Sequence, residues 1–478
     1  MKIEETLSYD DILLLPGYSR ITQGEADVST RLVGDIRLNV PVVSAAMDTV
    51  TEKRLAIALA LEGGAGVIHR NLSSEEQALQ VARVKRYLNW IIESPVTVGK
   101  NATVLHVRSL MEEYNVSGLP VLEESRKLCG IITGRDLRFC RDNTLFVKDI
   151  MTANPVVESG NPTPGSAREK FDTFKIEKLP VVDGDGVLTG LITVKDMEKQ
   201  RLYPRAATDA HGRLIVGAAV SPFDFKKRIP LLLESKVDFI VIDTAHGDSV
   251  SVINTVAEIK KKFPIPVIGG NVATREGTKR LIDAGVDGVK VGVGPGSVCT
   301  TRIVAGIGVS QFSAVVWCAE EADKHGITVI ADGGIKFSGD IAKALAGGAS
   351  TVMIGNLFAG LREAPGNEII YDGRMFKEYR GMGSIGSIKE GSGDRYQSTA
   401  DEKPVPEGIE GRVPYKGELK PFLYQLVTGL KKGMGYCGVK IVEELRQYKK
   451  YVKISPAGLK ESHAHGVMIT KEAPNYTR

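Results

Sequence analysis

The chain has 478 residues, 42% hydrophobic and 25% charged, which suits a soluble protein of two or three domains, or one large barrel with an insertion. Its 62 basic residues against 58 acids leave a net charge of +4, too small over this length to mark a nucleic-acid or membrane partner. Five scattered cysteines with no CxxC pair argue against a disulfide framework or a zinc site, and the acidic N-terminus MKIEETLSYDD does not read as a signal peptide, so a cytoplasmic location is expected.

Residues 1–40 form a lead-in with turn chemistry at Pro16-Gly17. Pro41–Ala46 reads as a strand followed by an amphipathic helix from about Glu52. Gly64–His69 is a second strand, followed by a helix over Ser73–Leu88. Near residue 91 this rhythm stops and an internal repeat begins. Leu119-Pro120-Val121 returns as Leu179-Pro180-Val181. Leu128, Gly130, Ile132, Thr133 and Asp136 return as Leu188, Gly190, Ile192, Thr193 and Asp196, all at one offset of 60 residues. Each copy (about 91–148 and 149–202) predicts strand, helix, strand, strand, helix, and the pair packs as one module. The Asp closing each block has two readings, a ligand for ribose hydroxyls or a helix N-cap.

The strand–helix rhythm resumes with strands at Arg213–Val220, Asp238–Asp243, Pro266–Asn271, Gly288–Val293, Thr328–Asp332 and Thr351–Gly355. Helices fall between them, as at Glu276–Ala284 and Ser338–Ala346. Two strands before the insertion and six after it make eight β/α units. That number favours an α/β fold of the (β/α)8 TIM-barrel type over a doubly wound sheet. The expected division is barrel over 1–90, inserted module over 91–202 and barrel again over 203–478.

Polar groups and glycines gather at the strand ends: Ser44–Met47, His69-Arg70, Asp243, Asn271, Asp332-Gly-Gly334 and Gly355-Asn356. On a barrel they converge on one mouth, where the turns after strands seven and eight suit a phosphate. The stretch Gly292–Arg302, GVGPGSVCTTR, presents Cys299 on a glycine-rich loop. A thiol there is either a nucleophile or a packed cysteine after a tight turn. Beyond the eighth strand, the polar stretch Lys389–Gly417 is too long for a plain connector and predicts a mobile lid or disorder.

Two resemblances sharpen these readings. The blocks VSGLPVLEESRKLCGIITGRDL and IEKLPVVDGDGVLTGLITVKDM resemble a tandem pair of CBS motifs. That likeness implies an adenine or guanine nucleotide in the cleft between copies, with Asp136 or Asp196 on its ribose. GVGPGSVCTTR, with SAAMDTVTE at 44–52, ADGGIKFSGDI at 331–341 and YRGMGS at 379–384, resembles the inosine-5′-monophosphate dehydrogenase family, and the match runs from Leu7 to Pro474. A CBS pair interrupting the barrel after its second strand is also that family's arrangement.

The second resemblance implies oxidation of IMP to XMP with reduction of NAD+, the committed step of guanine nucleotide synthesis. Cys299 would add to the purine C2, and the covalent intermediate left by hydride transfer would be hydrolysed. Arg395-Tyr396 matches a flap dyad (flap about 389–417) that activates water, and Thr301 matches a threonine that helps. The substrate positions are Ser297, Asp332, Gly334, Gly355, Asn356, Tyr379, Gly381, Met382, Gly383 and Glu407, with Ala46 and Met47 nearby. Asp243, Asn271, Gly292 and Gly294 match the nicotinamide side. Carbonyls of Gly294, Gly296 and Cys299, with those of Glu461, Ser462 and His463 from a neighbouring subunit, match a potassium site. A shared ion implies a homotetramer and leaves an octamer open.

Three positions depart from the common pattern: Asn356 where many members have Ser, Gly393 where Ser is common and Gln397 where Phe is frequent. The rival within the family is GMP reductase, which deaminates GMP to IMP with NADPH and lacks the Arg-Tyr flap. Arg395-Tyr396, continued by VPEGIEGRVPYKG, favours the dehydrogenase. A binding protein with an inactive barrel is disfavoured by intact Cys299, Thr301, Asp332 and Arg395.

Overall fold

Eight short segments rich in valine and isoleucine carry the architecture. In the computed structural model, residues 3–93, 95–114, 116–160, 162–396, 405–471 and 473–476 are described, without the side chains of Gln200, Asp394 and Tyr396. The chain divides into two units. One comprises residues 1–87, 205–210 and 214–478, and the other comprises 88–204 and 211–213.

The larger unit is a closed barrel of eight parallel strands: β1 (Val42–Ser44), β2 (Ala65–Ile68), β3 (Val216–Val220), β4 (Phe239–Ile242), β5 (Val267–Val272), β6 (Gly288–Val291), β7 (Thr328–Asp332) and β8 (Thr351–Ile354). Each strand pairs with the next in sequence, and β8 returns to β1. Parallel strands covered on both faces read as unbroken apolar runs, which is why these segments were visible in the sequence. The barrel interior is a packed core. Phe239 fills it across from Gly217, where an added Cβ would stand 2.3 Å from the ring. β3 begins three residues later than its apolar run, because Leu214 is diverted into a bridge with Thr208.

The base of the barrel is pinned by a buried ammonium. Lys85 Nζ, 3% exposed, donates to Asp238 Oδ2 at 2.8 Å, Asp209 Oδ2 at 2.9 Å and the Leu214 carbonyl at 3.0 Å. Asp238 in turn accepts from the Val216 N–H at 2.8 Å, so one cluster fixes the starts of β3 and β4.

The stretch 389–417, expected to be mobile or disordered, is in part regular. Ile388–Ser392 and Gly393–Tyr396 form short helical turns, and Glu410–Pro414 is a strand. That strand adds antiparallel to Arg374–Arg380, which also pairs with Glu368–Tyr371. An open strand edge satisfies the backbone of a polar segment that cannot build its own core. Gln397 and the rest of 397–404 lie outside the described residues.

The smaller unit holds two four-stranded sheets related by the repeat. Leu119 faces Ile132 in one and Leu179 faces Ile192 in the other, each beside a register shift at the same point. Neither Asp is itself the N-cap: Asp136 lies three residues after the cap Thr133, Asp196 three after Thr193, and each bonds back to that threonine. Asp136 Oδ2 accepts from the Thr133 N–H at 2.7 Å and its hydroxyl at 2.8 Å, and Asp196 Oδ2 accepts from the Thr193 hydroxyl at 2.6 Å. Among the described residues no helix is long and apolar enough to cross a membrane.

Lys85→Met removes the ammonium from two part-buried carboxylates. It is expected to destabilise the barrel by about 3–5 kcal/mol, read as a lowered midpoint in denaturant unfolding.

Candidate active site

The mouth of the barrel is organised by a charged side chain on an apolar strand. Lys290 lies in β6 between Val289 and Val291 and is 1% exposed. Its ammonium donates to Asp243 Oδ1 at 3.2 Å, to Asp332 Oδ2 at 2.9 Å and to Asn271 Oδ1. Asn271 Nδ2 closes the cluster on Asp332 Oδ2 at 2.9 Å and on the Gly292 carbonyl at 2.7 Å. A lone lysine in a strand covered on both faces must find counter-charges, and that signal was present in the sequence although no role was drawn from it.

Asp243 has a second cation. Arg395 Nη1, from the turn Gly393–Tyr396, donates to Asp243 Oδ2. Burial alone would push this carboxyl upward, but the Arg395 and Lys290 charges outweigh it and hold the group below the usual carboxylate range.

Directly after β6 the backbone turns at Gly292, with φ +151. A Cβ there would sit 2.2 Å from the Asp332 carbonyl oxygen, so only glycine fits. The loop that follows presents Cys299, whose Sγ lies 3.2 Å from Thr301 Oγ1. The Thr301 hydroxyl donates to Glu407 Oε2 at 2.7 Å. The backbone makes the same connection: Thr300 N–H donates to the Glu407 carbonyl at 2.8 Å and Ile409 N–H to that of Val298 at 3.0 Å. Arg302 stands beside Cys299 and anchors on the Val293 and Val309 carbonyls. Burial lowers its guanidinium from the usual value, but an arginine remains a cation at neutral pH.

Two adjoining lobes open from this mouth. The first, beside Cys299, is lined by Asp243, Asn271, Gly292, Gly294, Gly296, Thr301, Gly381, Met382, Gly383, Arg395 and Glu407. The second is lined by Ser297, Gly334, Gly355 and Asn356, and by Tyr9 and Lys336, which sequence reasoning passed over. Asp332 and Tyr379 border both lobes. Burial pushes the Tyr379 phenol up to about 12, so it stays protonated.

The expected site residues therefore meet at one mouth, with two exceptions. The Tyr396 side chain lies outside the described atoms. Glu461, Ser462 and His463 close the last helix, where the His463 ring lies 6.2 Å from that of Phe337 and Nδ1 is 3.0 Å from the Tyr476 hydroxyl. Among the described residues no group of three or more His, Cys, Asp or Glu side chains could hold a metal ion.

Comparison with known proteins gives a consistent picture. Residues 6–465 match the model of the IMP dehydrogenase / GMP reductase domain. An inosine-5′-monophosphate dehydrogenase from Aquifex aeolicus is 55% identical over 99% of this chain and 98% of its own. Those of Halalkalibacterium halodurans and Bacillus subtilis are 53% and 52% identical over the same shares. Among solved structures, a GMP reductase from Trypanosoma brucei in complex with guanosine 5′-monophosphate is 40% identical, with a TM-score of 0.86 over 98% of this chain and 99% of that one.

Cys299 is partly exposed, whereas Cys318 and Cys437 are buried and burial raises both, Cys318 to about 12. Iodoacetamide at neutral pH is expected to label Cys299 before either of them, as mapped by peptide mass spectrometry. The reverse order would mean that the loop is closed to solvent.

Proposed function

The chain belongs to the IMP dehydrogenase/GMP reductase family, and we propose that its reaction is the oxidation of IMP, in which IMP, NAD+ and water give XMP, NADH and a proton. The observation that carries this reading is the pairing of a nucleophile with water-activating groups at one mouth. Cys299 lies 3.2 Å from Thr301, Thr301 is bonded to Glu407, and Arg395 stands in the same lobe. More than half of the sequence is shared with dehydrogenases such as that of Aquifex aeolicus, which supports the same reading.

On this reading the second lobe takes the nucleotide. Asp332, held by Lys290 and Asn271 and 19% exposed at its side chain, accepts from the ribose hydroxyls. Gly334, Gly355 and Asn356 face the phosphate, Ser297 and Tyr379 enclose the rest of that lobe, and Gly381, Met382 and Gly383 meet the base from the first lobe. Asn356 in place of serine still offers a donor. The Cys299 thiolate adds at the purine C2 while the ring takes up a proton, and the C2–H bond then gives up its hydride. The residues of the first lobe fit a nicotinamide half, with Asp243, Asn271, Gly292 and Gly294 along it, once Arg395 withdraws. NAD+, when bound, supplies the hydride acceptor.

Hydrolysis of the Cys299-linked intermediate falls to the groups that then face C2. Arg395 occupies the first lobe, on Asp243. A guanidinium is a poor base because it holds its proton, so Thr301 and Glu407 provide a second route. The water oxygen bonds to C2 as one of its protons passes to the Thr301 hydroxyl and that hydroxyl passes its own to Glu407. The C2–S bond then breaks, and the second water proton leaves with the sulfur of Cys299 as its thiol. The carbonyls of Gly294, Gly296 and Cys299 fit a potassium ion, with Glu461, Ser462 and His463 of a neighbouring subunit in a homotetramer completing its shell. A nucleotide in the smaller unit would have to share Asp136 and Asp196 with their capping bonds. GMP reductase remains the second reading, favoured by the likeness to the trypanosomal enzyme. The dehydrogenase is preferred because deamination needs no group in the place of Arg395.

Purified protein given IMP, NAD+ and potassium is expected to form NADH and XMP, and to leave GMP with NADPH unchanged in a parallel cell. Consumption of NADPH alone would assign the reductase. Cys299→Ala should keep IMP affinity, form no covalent adduct by mass spectrometry and lose more than about 10³-fold in turnover. Arg395→Ala should keep a burst of NADH while steady turnover falls by about 10²–10⁴-fold. A variant with no burst would remove the hydrolytic role from Arg395.

A further inference from the structure

The second lobe is lined by two carboxylates, Asp10 and Asp332, and among the described residues by two cations, Arg302 and Lys336. These charges are not equally committed. Asp332 is met by Lys290 at 2.9 Å. Arg302 is spent on the Val293 and Val309 carbonyls, and its stem is wedged against Gly294 and Gly308, where an added Cβ would meet its Cγ at 2.5 and 2.6 Å. Lys336 has only its backbone fixed, through its N–H on Asp340 Oδ2 at 2.9 Å. Its ammonium reaches Asp10 on the rim of the lobe. The two side chains are 54% and 39% exposed, and an ion pair that open to water is weak enough to be exchanged. Asp10 cannot follow its partner inward. The turn Tyr9–Asp11 is tied by Lys343 Nζ on the Tyr9 carbonyl at 2.7 Å and by Leu7 N–H on Ser313 Oγ at 2.8 Å. An added Cβ on Gly334 would stand 3.3 Å from the Tyr9 ring, so that turn is also packed against the loop after β7.

We propose that Lys336 is a further substrate-recognition residue, an ammonium that leaves Asp10 for the phosphate of a nucleoside monophosphate seated in the second lobe. The inference rests on the placing of the nucleotide in that lobe, and it holds for either reaction of the family. A phosphomonoester brings about −1.5 to −2 charges at neutral pH. Backbone N–H groups at Gly334, Gly355 and Asn356 offer it dipoles but no full charge. Of the two cations in the lobe, Lys336 is the one that turns toward the phosphate at the expense of an exposed ion pair alone. Asp10 competes with the phosphate for the same ammonium, and the affinity that remains is the difference between the two bonds. A nucleoside has nothing to draw Lys336 from Asp10, so the exchange adds to the preference for the phosphorylated substrate.

The test titrates IMP and inosine separately against the full chain without NAD+, by calorimetry, with inosine read as a competitor of IMP. Lys336→Gln is expected to weaken IMP by about three- to tenfold and to leave inosine where it was. Asp10→Asn should tighten IMP by about two- to fivefold, because the ammonium is then released in advance. Both variants lose the same ion pair, so a role confined to holding the rim together would move them in one direction. Asp10→Asn in the Lys336→Gln background should gain nothing, whereas simple relief of repulsion from Asp10 would tighten IMP in both backgrounds. Lys336→Arg, which keeps the charge, should keep most of the affinity. An unchanged IMP affinity in Lys336→Gln, an equal loss of IMP and inosine, or the same gain from Asp10→Asn in both backgrounds overturns the exchange. If the unmodified protein prefers IMP to inosine and Lys336→Gln keeps the whole preference, the exchange fails and the placing of the nucleotide stands. If the unmodified protein shows no such preference, that placing fails and the exchange goes with it.

Discussion

The buried ammonium of Lys290 is the constraint on which the mouth depends. Asp243 follows β4, Asn271 lies in β5, Lys290 in β6 and Asp332 ends β7, so one cluster ties four consecutive strands at their C-terminal ends. Removing Lys290 would leave Asp243 and Asp332 facing each other without the ammonium between them. The tie also dictates the next step of the chain. With Asp332 drawn toward Lys290, the backbone leaving β6 must pass against the Asp332 carbonyl, which is the reason for Gly292. The cysteine loop therefore begins where the cluster puts it.

The far side of that loop is set outside the barrel. Arg374–Arg380 and Glu410–Pro414 pair so that Arg380 stands opposite Glu410. That register places Gly381 N–H on the Ile409 carbonyl at 2.9 Å and Glu407 N–H on that of Gly383 at 3.0 Å. Arg380 is itself held by Asp48, on the loop after β1, at 2.8 Å. Glu407 thus reaches Thr301 through a chain of fixed contacts running back to the barrel. A carboxylate positioned this way can face a hydroxyl beside the nucleophile without a flexible search for it.

Strands buried on both faces were legible because apolar residues dominate them, and Thr328–Asp332 and Ser338–Ala346 fall where their patterns end. The repeat was legible because one offset returns the buried Leu119, Val121 and Ile132 as Leu179, Val181 and Ile192. Glu410–Pro414 was not. Only Val413 of its five residues is buried, and the segment is a strand because a neighbouring edge, distant in sequence, is open to it. Asp136 and Asp196 had two open readings, and the structure adds that each bonds the threonine three residues before it, Thr133 or Thr193, at the start of a helix. Lys290 carried a signal in its own setting, yet its partners lie 19 to 47 residues away, and no periodicity reports which strand ends will meet. The bond between Thr301 and Glu407 spans 106 residues and is invisible to any local pattern.

A barrel mouth that performs two reactions on one carbon must admit two partners to the same face of the substrate in turn. Groups that serve both steps belong on strands, where packing holds them still, and Lys290, Asn271 and Asp332 are placed so. Groups that serve one step belong on segments that can leave without unravelling the core. Arg395 meets that condition: its turn lies outside the barrel, and its guanidinium bonds Asp243 Oδ2, the oxygen that Lys290 leaves to it. Asp243 joins the two kinds of group: Arg395 and the fixed Lys290 together hold its carboxyl below the usual range against burial, which gives a lysine within an apolar strand its place in this mouth.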